Sequence, residues 1–308
     1  MDDAMARNKR LLVGILAAIG CEVLFGLSYG FTKHATQVAS GLALLGWRFL
    51  VAGLVMGLAV GFGLVRVNLR GKRLVPLLLV ALFNPCLYIA AETFGIAYTT
   101  ATESGVFLAS IPVVSLIAST LVLKKGPTLI QVIGIIITLV GVLVTVLAVG
   151  AASSLSLIGY GALVVAVVSY ALYCVFVDKA SAFSAVELTV VMLAVGAAVF
   201  SGLALVEAVA NGGVGSLVML PFTDLGFAAA VVYQGVGCSI LAFFLANIAI
   251  ARLGVNRVAS FIGISTVVSI LAGVLVLAEP FSLAQLVGAL VIVAGVYVAN
   301  ARSLLSAR

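Results

Sequence analysis

Two carboxylates, Glu22 and Glu92, stand inside long apolar runs of this sequence. Glu22 lies about eleven residues into the first run. At 1.5 Å of helical rise per residue that is roughly 16 Å deep, near the middle of a ~30 Å hydrocarbon core. An acid at that depth is expensive. It marks a substrate or proton pathway, or it is a protonated acid bonded to a neighbouring helix. Glu92 follows Tyr88 by one helical turn on the same face. It sits nearer the outer side, at a depth similar to Arg48 and Lys33, and either cation is a natural partner for it. Asn84-Pro85 falls at mid-depth in the same run as Glu92. The proline frees a carbonyl one turn back and kinks a helix. The pair reads as a cavity wall or as a plain structural kink.

Other polar side chains recur inside the apolar runs. Tyr29 follows Ser28 in the first run, and Tyr170 and Tyr173 are one turn apart in a later one. Tyr233-Gln234, Ser239 and Asn247 make another run unusually polar. Pro112 stands among Ser104, Ser110, Ser115 and Ser119, small residues that permit close crossing and a bend. The candidate substrate-binding residues are therefore Glu22, Tyr29, Asn84, Tyr88 and Glu92, then Tyr170, Tyr173, Tyr233, Gln234 and Ser239. Pro85 and Pro112 are the candidate hinges. Catalysis is not expected: there is one His, no H-E-x-x-H and no Cys/His cluster. The four cysteines, Cys21, Cys86, Cys174 and Cys238, are dispersed as small buried hydrophobes. Neither a metal nor a cofactor is expected.

These groups need elements to hold them. The chain has a mean hydropathy of +1.37 and only 8% charged residues, against roughly 25% in soluble domains. Ten apolar runs are long enough to span a bilayer, at about 11–34, 42–64, 74–97, 104–123, 127–149, 156–178, 184–206, 224–250, 256–278 and 282–301. The first is too long for a cleaved signal and no A-x-A site follows it, so it reads as a retained span. With the N-terminus in the cytoplasm, every Lys and Arg except Lys33 and Arg48 falls on the inner side. This distribution places both termini inside, in an inner membrane of bacterial type. It also explains the net charge of +6 by topology and anionic headgroups, with no nucleic-acid footprint.

The chain also repeats. Moved 154 positions on, Gln131 falls on Gln285, Gly134 on Gly288, Gly141 on Gly295 and Ser115 on Ser269. Apolar matches would be cheap here; registered Gly, Ser and Gln are not. Ten spans in two copies give five each, an odd number, so the copies enter the membrane from opposite faces. The expected architecture is an all-α membrane protein of two inverted five-helix repeats, 1–150 and 151–308. Such an arrangement puts a substrate site near the midplane and supports alternating access.

The stretch Phe94-Gly95-Ile96-Ala97-Tyr98-Thr99-Thr100, with Ile111-Pro112-Val113, Gln131, Gly134 and Gly141, resembles the repeat of the drug/metabolite transporter superfamily. The likeness is to its ten-span, two-repeat EamA-type branch. Phe25-Gly26 with Lys33 resembles that branch's first-helix pattern, with Phe25 where Trp is usual. Arg48-Phe49-Leu50 resembles its second-helix arginine motif, and Glu279 with Gln285, Gly288 and Gly295 matches the second copy. Two departures stand out: Lys124-Lys125 replaces an acidic residue usual after the fourth helix, and Thr266 a proline usual in the ninth.

The resemblance implies transport of small metabolites, commonly export, with amino-acid exporters prominent. It implies a central cavity among the first, third, fourth, sixth, eighth and ninth helices. The expected activity is export of amino acids or related small polar metabolites, with one copy of the chain sufficient and the lipid bilayer as surroundings. The alternative is an exporter of lipophilic cations, since Glu22 is similar in setting to the first-helix Glu of the small multidrug transporters. Thiol labelling checks the topology: in a cysteine-free background, Asp2→Cys and Ser306→Cys should resist an impermeant reagent outside intact cells. Labelling of either from outside contradicts it.

Overall fold

The computed structural model describes residues 2–99, 107–108, 110–148, 156–277 and 282–305, without the side chains of 2–7, 29, 33, 145, 146, 148, 269, 270, 273–277 and 300–305. The described residues are helical, without strands. The helices are α1 (Asp2–Val38), α2 (Gly41–Gly61), α3 (Val75–Tyr98), α4 (Ile111–Leu123), α5 (Leu129–Ala148) and α6 (Leu157–Lys179). They continue as α7 (Ala185–Ala210), the short α8 (Val214–Thr223), α9 (Leu225–Leu253), the single-turn α10 (Val255–Ala259), α11 (Gly263–Leu277) and α12 (Leu283–Leu305). Six of them, α1, α2, α3, α6, α7 and α9, are long and apolar enough to cross a membrane.

Three helices are not regular; α4 closes on a short π-helical segment at Ser119–Leu123, and two more such segments lie within longer helices. α3 passes through a π-helical segment at Leu82–Leu87, where Asn84 takes non-helical angles (φ −145°, ψ 116°) ahead of Pro85. The kink expected from Asn84-Pro85 is therefore present. α9 passes through a second π-helical segment at Tyr233–Ala242. Such wide turns interrupt the ordinary stacking of side chains and are frequent at functional sites. Pro112 stands in the first turn of α4, so the bend there lies before Ile111, beside the turn at Ser110.

The residues that repeat in register have a structural reason. Gln131 accepts the Thr128 backbone N–H (2.9 Å) while Thr128 Oγ1 accepts the Gln131 N–H (3.3 Å). Gln285 and Ser282 do the same at 2.8 and 3.1 Å. Each glutamine closes a reciprocal capping box at the start of its helix, α5 or α12, and satisfies donors that the helix itself leaves open. The registered glycines lie where those two helices meet. A Cβ on Gly141 would stand 2.7 Å from the Ile292 nitrogen and 2.8 Å from the Gly288 carbonyl. One on Gly295 would stand 2.7 Å from the Gly134 carbonyl. Only hydrogen fits at such approach.

Similar contacts join α2 to α7. A Cβ on Gly53 would meet Ala197 at 2.8 Å, and one on Gly46 would meet Ala204 at 2.6 Å. The Phe49 and Phe200 rings stack at 5.0 Å beside them. The sequence offers Gly53, Gly57 and Gly61 as one glycine stripe for close packing; Gly53 is in that contact, while Gly57 and Gly61 face open space. On α1, Gly26 is pressed against Ser265 and Val268 of α11, while Gly30 meets nothing.

Polar contacts fasten the connections. Lys72 Nζ lies 2.8 Å from both oxygens of Glu187, which also accepts the Asn68 N–H and the Ser184 N–H. The α2–α3 connection is thus tied to the start of α7. Lys125 pairs with Asp178 at 2.7 Å, so the lysine that departs from the acidic pattern still anchors its turn to α6. Trp47 donates its indole N–H to the Leu217 carbonyl (2.9 Å), which ties α2 to α8.

Gly141→Leu should overpack the α5–α12 contact and cost about 1–3 kcal/mol or more. Thermal unfolding in detergent should show a clear drop in Tm for this variant and none for Gly61→Leu. Equal Tm values would mean that the close approach carries no stability.

Candidate functional site

Glu22 is buried in α1 and lies against the Ser265 hydroxyl at the start of α11. Cys174 and Tyr170 of α6 are within its electrostatic reach. Tyr170 packs edge-on to Tyr88 of α3 at 4.9 Å and to Tyr173 at 5.6 Å. Tyr88 in turn donates its hydroxyl to Glu92 (2.7 Å). The expected face of Tyr88 and Glu92 is thus a hydrogen-bonded pair. Four of the candidate residues, Glu22, Tyr88, Glu92 and Tyr170, form one continuous neighbourhood contributed by α1, α3 and α6.

Tyr173 belongs to a second group. Its hydroxyl donates to Asn247 Oδ1 of α9 (2.8 Å), and Asn247 Nδ2 donates to Thr189 Oγ1 of α7 (3.1 Å). All three residues are buried. A neutral network with its members satisfied fixes how three helices meet without leaving a charge in the interior.

Arg48 holds the third group together. Nε donates to Ser239 Oγ (2.8 Å) and Nη1 to Gln234 Oε1 (3.2 Å), both on the π-helical segment of α9. Gln234 Nε2 donates onward to Thr32 Oγ1 of α1 (2.9 Å). Tyr233 stacks on Phe31 at 4.6 Å and donates its hydroxyl to the Leu24 carbonyl (2.8 Å). Candidate residues Tyr233, Gln234 and Ser239 therefore cluster around α1 and α2.

The expected partnership of Arg48 with Glu92 is not an ion pair: no contact within 4.0 Å joins them. Each is within electrostatic range of the other, while their hydrogen bonds go elsewhere. Lys33, the other cation considered for Glu92, and the candidate Tyr29 have side chains outside the described residues, as does Glu279 entirely. Asn84 is buried in the α3 kink, and its Oδ1 has no hydrogen-bond partner among the described residues.

The sequence does not mark Thr32 or Thr189, and it marks Ser265 only as a small residue suited to a helix crossing. A hydroxyl in an apolar run carries no sign of whether it caps its own helix or reaches another. Arg48 was legible as a cation inside a span, but not as the centre of a cluster. No group of three or more His, Cys, Asp or Glu side chains among the described residues could hold a metal.

A cavity of about 310 Å³ lies elsewhere, between α4 and α6, lined by Phe107, Ser110, Val114, Val164, Val167 and Val168. The Ser110 hydroxyl is already bonded to the Phe107 carbonyl (2.6 Å). Val164 and Val168 are exposed side chains. The groove suits a lipid chain better than a polar solute, and we do not assign the site to it.

Comparison with known proteins gives a consistent picture. The model of the EamA-like transporter family matches residues 12–147 and again 157–301. A Bacillus subtilis protein described as the uncharacterized transporter YcxC is 33% identical over 287 residues, 92% of each chain. An uncharacterized transporter of Archaeoglobus fulgidus is 23% identical over 284 residues, 89% of this chain and 94% of its own. A solved structure described only as a crystal structure of a protein superposes with a TM-score of 0.73 at 20% identity. It covers 96% of this chain and 99% of its own, a likeness of fold.

Tyr173→Phe should leave a buried Asn247 oxygen without its donor, at a cost of about 1–3 kcal/mol. Adding Asn247→Leu should recover part of that loss. Strictly additive losses in a double-mutant cycle of detergent unfolding would show that the two side chains are not coupled.

Proposed function

Because the chain belongs to the EamA-like transporter family, we propose that it is a secondary transporter that exports amino acids or related small polar metabolites. Substrate binds among α1, α2, α3, α6 and α9, and alternating access exposes that site to each side in turn. The protein is read as ten spans in two inverted halves, 1–150 and 151–308, with both termini in the cytoplasm of a bacterial cell and the chain in its inner membrane. One copy contains the whole pathway.

Several features support two related halves. The family model matches the chain twice, over 12–147 and 157–301. With α9, α11 and α12 counted as spans eight, nine and ten, several of the main helix pairings recur when each span is replaced by the one five places away. Span 1 packs on spans 8 and 9, and span 6 on spans 3 and 4; span 2 packs on span 8, and span 7 on span 3; span 2 meets span 7, and span 5 meets span 10. The π-helical segments within long helices fall in spans 3 and 8, also five apart, while the π-helical end of span 4 has no counterpart in span 9 among the described residues.

The observation that carries the substrate reading is Glu22, a buried mid-span carboxylate beside groups of α6 and α11. A membrane protein keeps an acid there for a cation that comes and goes, and a substrate ammonium is such a cation. Arg48 and Glu92 add both signs of charge nearby, which suits a zwitterion. Tyr170, within electrostatic reach of Glu22 and packed against Tyr88 and Tyr173, favours the second reading, a lipophilic cation held by carboxylate and aromatic rings.

Counterflow of labelled amino acids in proteoliposomes, with and without a proton gradient, tests this. The wild type should show saturable counterflow. Glu22→Gln should weaken apparent affinity about tenfold, as expected for loss of a charged hydrogen bond of roughly 1.5–3 kcal/mol, and more for cationic amino acids. If proton and substrate compete for Glu22, the variant also loses pH dependence. Unchanged affinity and unchanged pH dependence would reduce Glu22 to a structural residue, and exchange of lipophilic cations alone would select the second reading.

A further inference from the structure

The Arg48 guanidinium has five N–H donors in a planar fork. Nε and Nη1 are held by Ser239 and Gln234, but Nη2 is buried with no hydrogen-bond partner among the described residues. Leaving a buried charged donor unpaired is costly, and a structural arginine would be expected to use its whole fork. The two acceptors that hold this one are neutral. They fix its position and leave its charge uncompensated. Gln234 is itself fixed by Thr32, so side chains from two other helices are committed to orienting one cation. Glu92, the nearest carboxylate in electrostatic terms, binds Tyr88 and forms no ion pair with it. The Phe49 ring lies 5.2 Å from the guanidinium carbon, another neutral neighbour.

We propose that Arg48 is the anion-binding residue of the transport site, and that its free Nη2 receives the carboxylate of the substrate. Nη2 can donate a charge-assisted N–H···O bond to a carboxylate oxygen, and a neutral cradle keeps the charge available for a transient ligand. This rests on the proposed transport function and specifies its substrate class: molecules that carry a carboxylate, with an ammonium group for the amino-acid case. In the present conformation Nη2 has no open surface. Both residues that hold the fork lie on the π-helical segment Tyr233–Ala242. Displacement of that segment against α2 is the motion that uncovers it. Sealing and unsealing of the carboxylate site are then coupled to the packing of α9 on α1 and α2.

The test uses the full-length protein in proteoliposomes. The probes are the labelled amino acids that the wild type exchanges and, for the best of them, its amide, which keeps the ammonium and lacks the carboxylate. The wild type should prefer the acid over the amide at least tenfold, as inhibitors of counterflow. Arg48→Gln, checked for folding by gel filtration and circular dichroism, should bind the two about equally. Arg48→Lys keeps the charge but loses the fork, so its acid-over-amide ratio should fall below the wild-type value. It decides the matter if the glutamine variant does not fold. A ratio unchanged in every variant that folds overturns the proposal and makes Arg48 a structural residue. Should the wild type exchange carboxylates that lack an amine but no amino acid, the amino-acid reading fails and the role of Arg48 stands. Preference of the wild type for amines without a carboxylate overturns the role of Arg48 and leaves the cation reading.

Discussion

A guanidinium placed inside an apolar helix bundle must be given acceptors from other helices, because no water is at hand to supply them. Arg48 meets part of that demand with Ser239 and Gln234 of α9, which leave Nη2 without an acceptor among the described residues, and Gln234 is steadied by Thr32 of α1. Three helices are thereby fixed around one charge. Glu22 lies against Ser265 in the same manner, and Glu92 takes the hydroxyl of Tyr88. The irregular stretches of α3 and α9 belong to this arrangement. A regular helix presents side chains at fixed intervals, and the π-helical segment of α9 lets Gln234 and Ser239 reach one side chain.

The scaffold and the site follow different symmetries. Residues that repeat in register are those that cap α5 and α12 and let them touch: Gln131 and Gln285, Gly134 and Gly288, Gly141 and Gly295. In the second half the runs 156–178, 184–206 and 224–250 carry Asp, Glu, Lys or Arg only near their ends, at Asp178, Glu187 and Asp224, so none has a charge placed as Glu22, Arg48 and Glu92 are. The charged groups belong to the first half alone. In the proposed transport cycle two related halves would rock against one another as near-equivalent bodies, while an asymmetric cluster between them would bind a solute whose two ends differ.

How far the sequence was readable depended on the kind of interaction. Proline chemistry and capping are local, so the α3 kink at Asn84-Pro85 and the Tyr88–Glu92 pair were legible. Partner choice across helices was not. In a soluble helix, polarity marks the outer face; here nearly every face is apolar, so periodicity does not tell lipid from neighbour. Gly57 and Gly61 consequently looked like contact residues and face open space, whereas Gly46 is in contact and went unnoticed. Arg48 was paired with Glu92 on depth alone, although a side chain of its length reached neutral acceptors on α9 instead.

In the proposed transport cycle the neighbourhood of Glu22 is the solute pathway and opens to both sides. Ser265, the residue against Glu22, reports on it directly. With the native cysteines removed, Ser265→Cys would be exposed to an impermeant thiol reagent in right-side-out and inside-out vesicles. The account predicts modification from either face, slowed by an exchanged substrate. Modification from neither face, or from one face alone under all conditions, would contradict it.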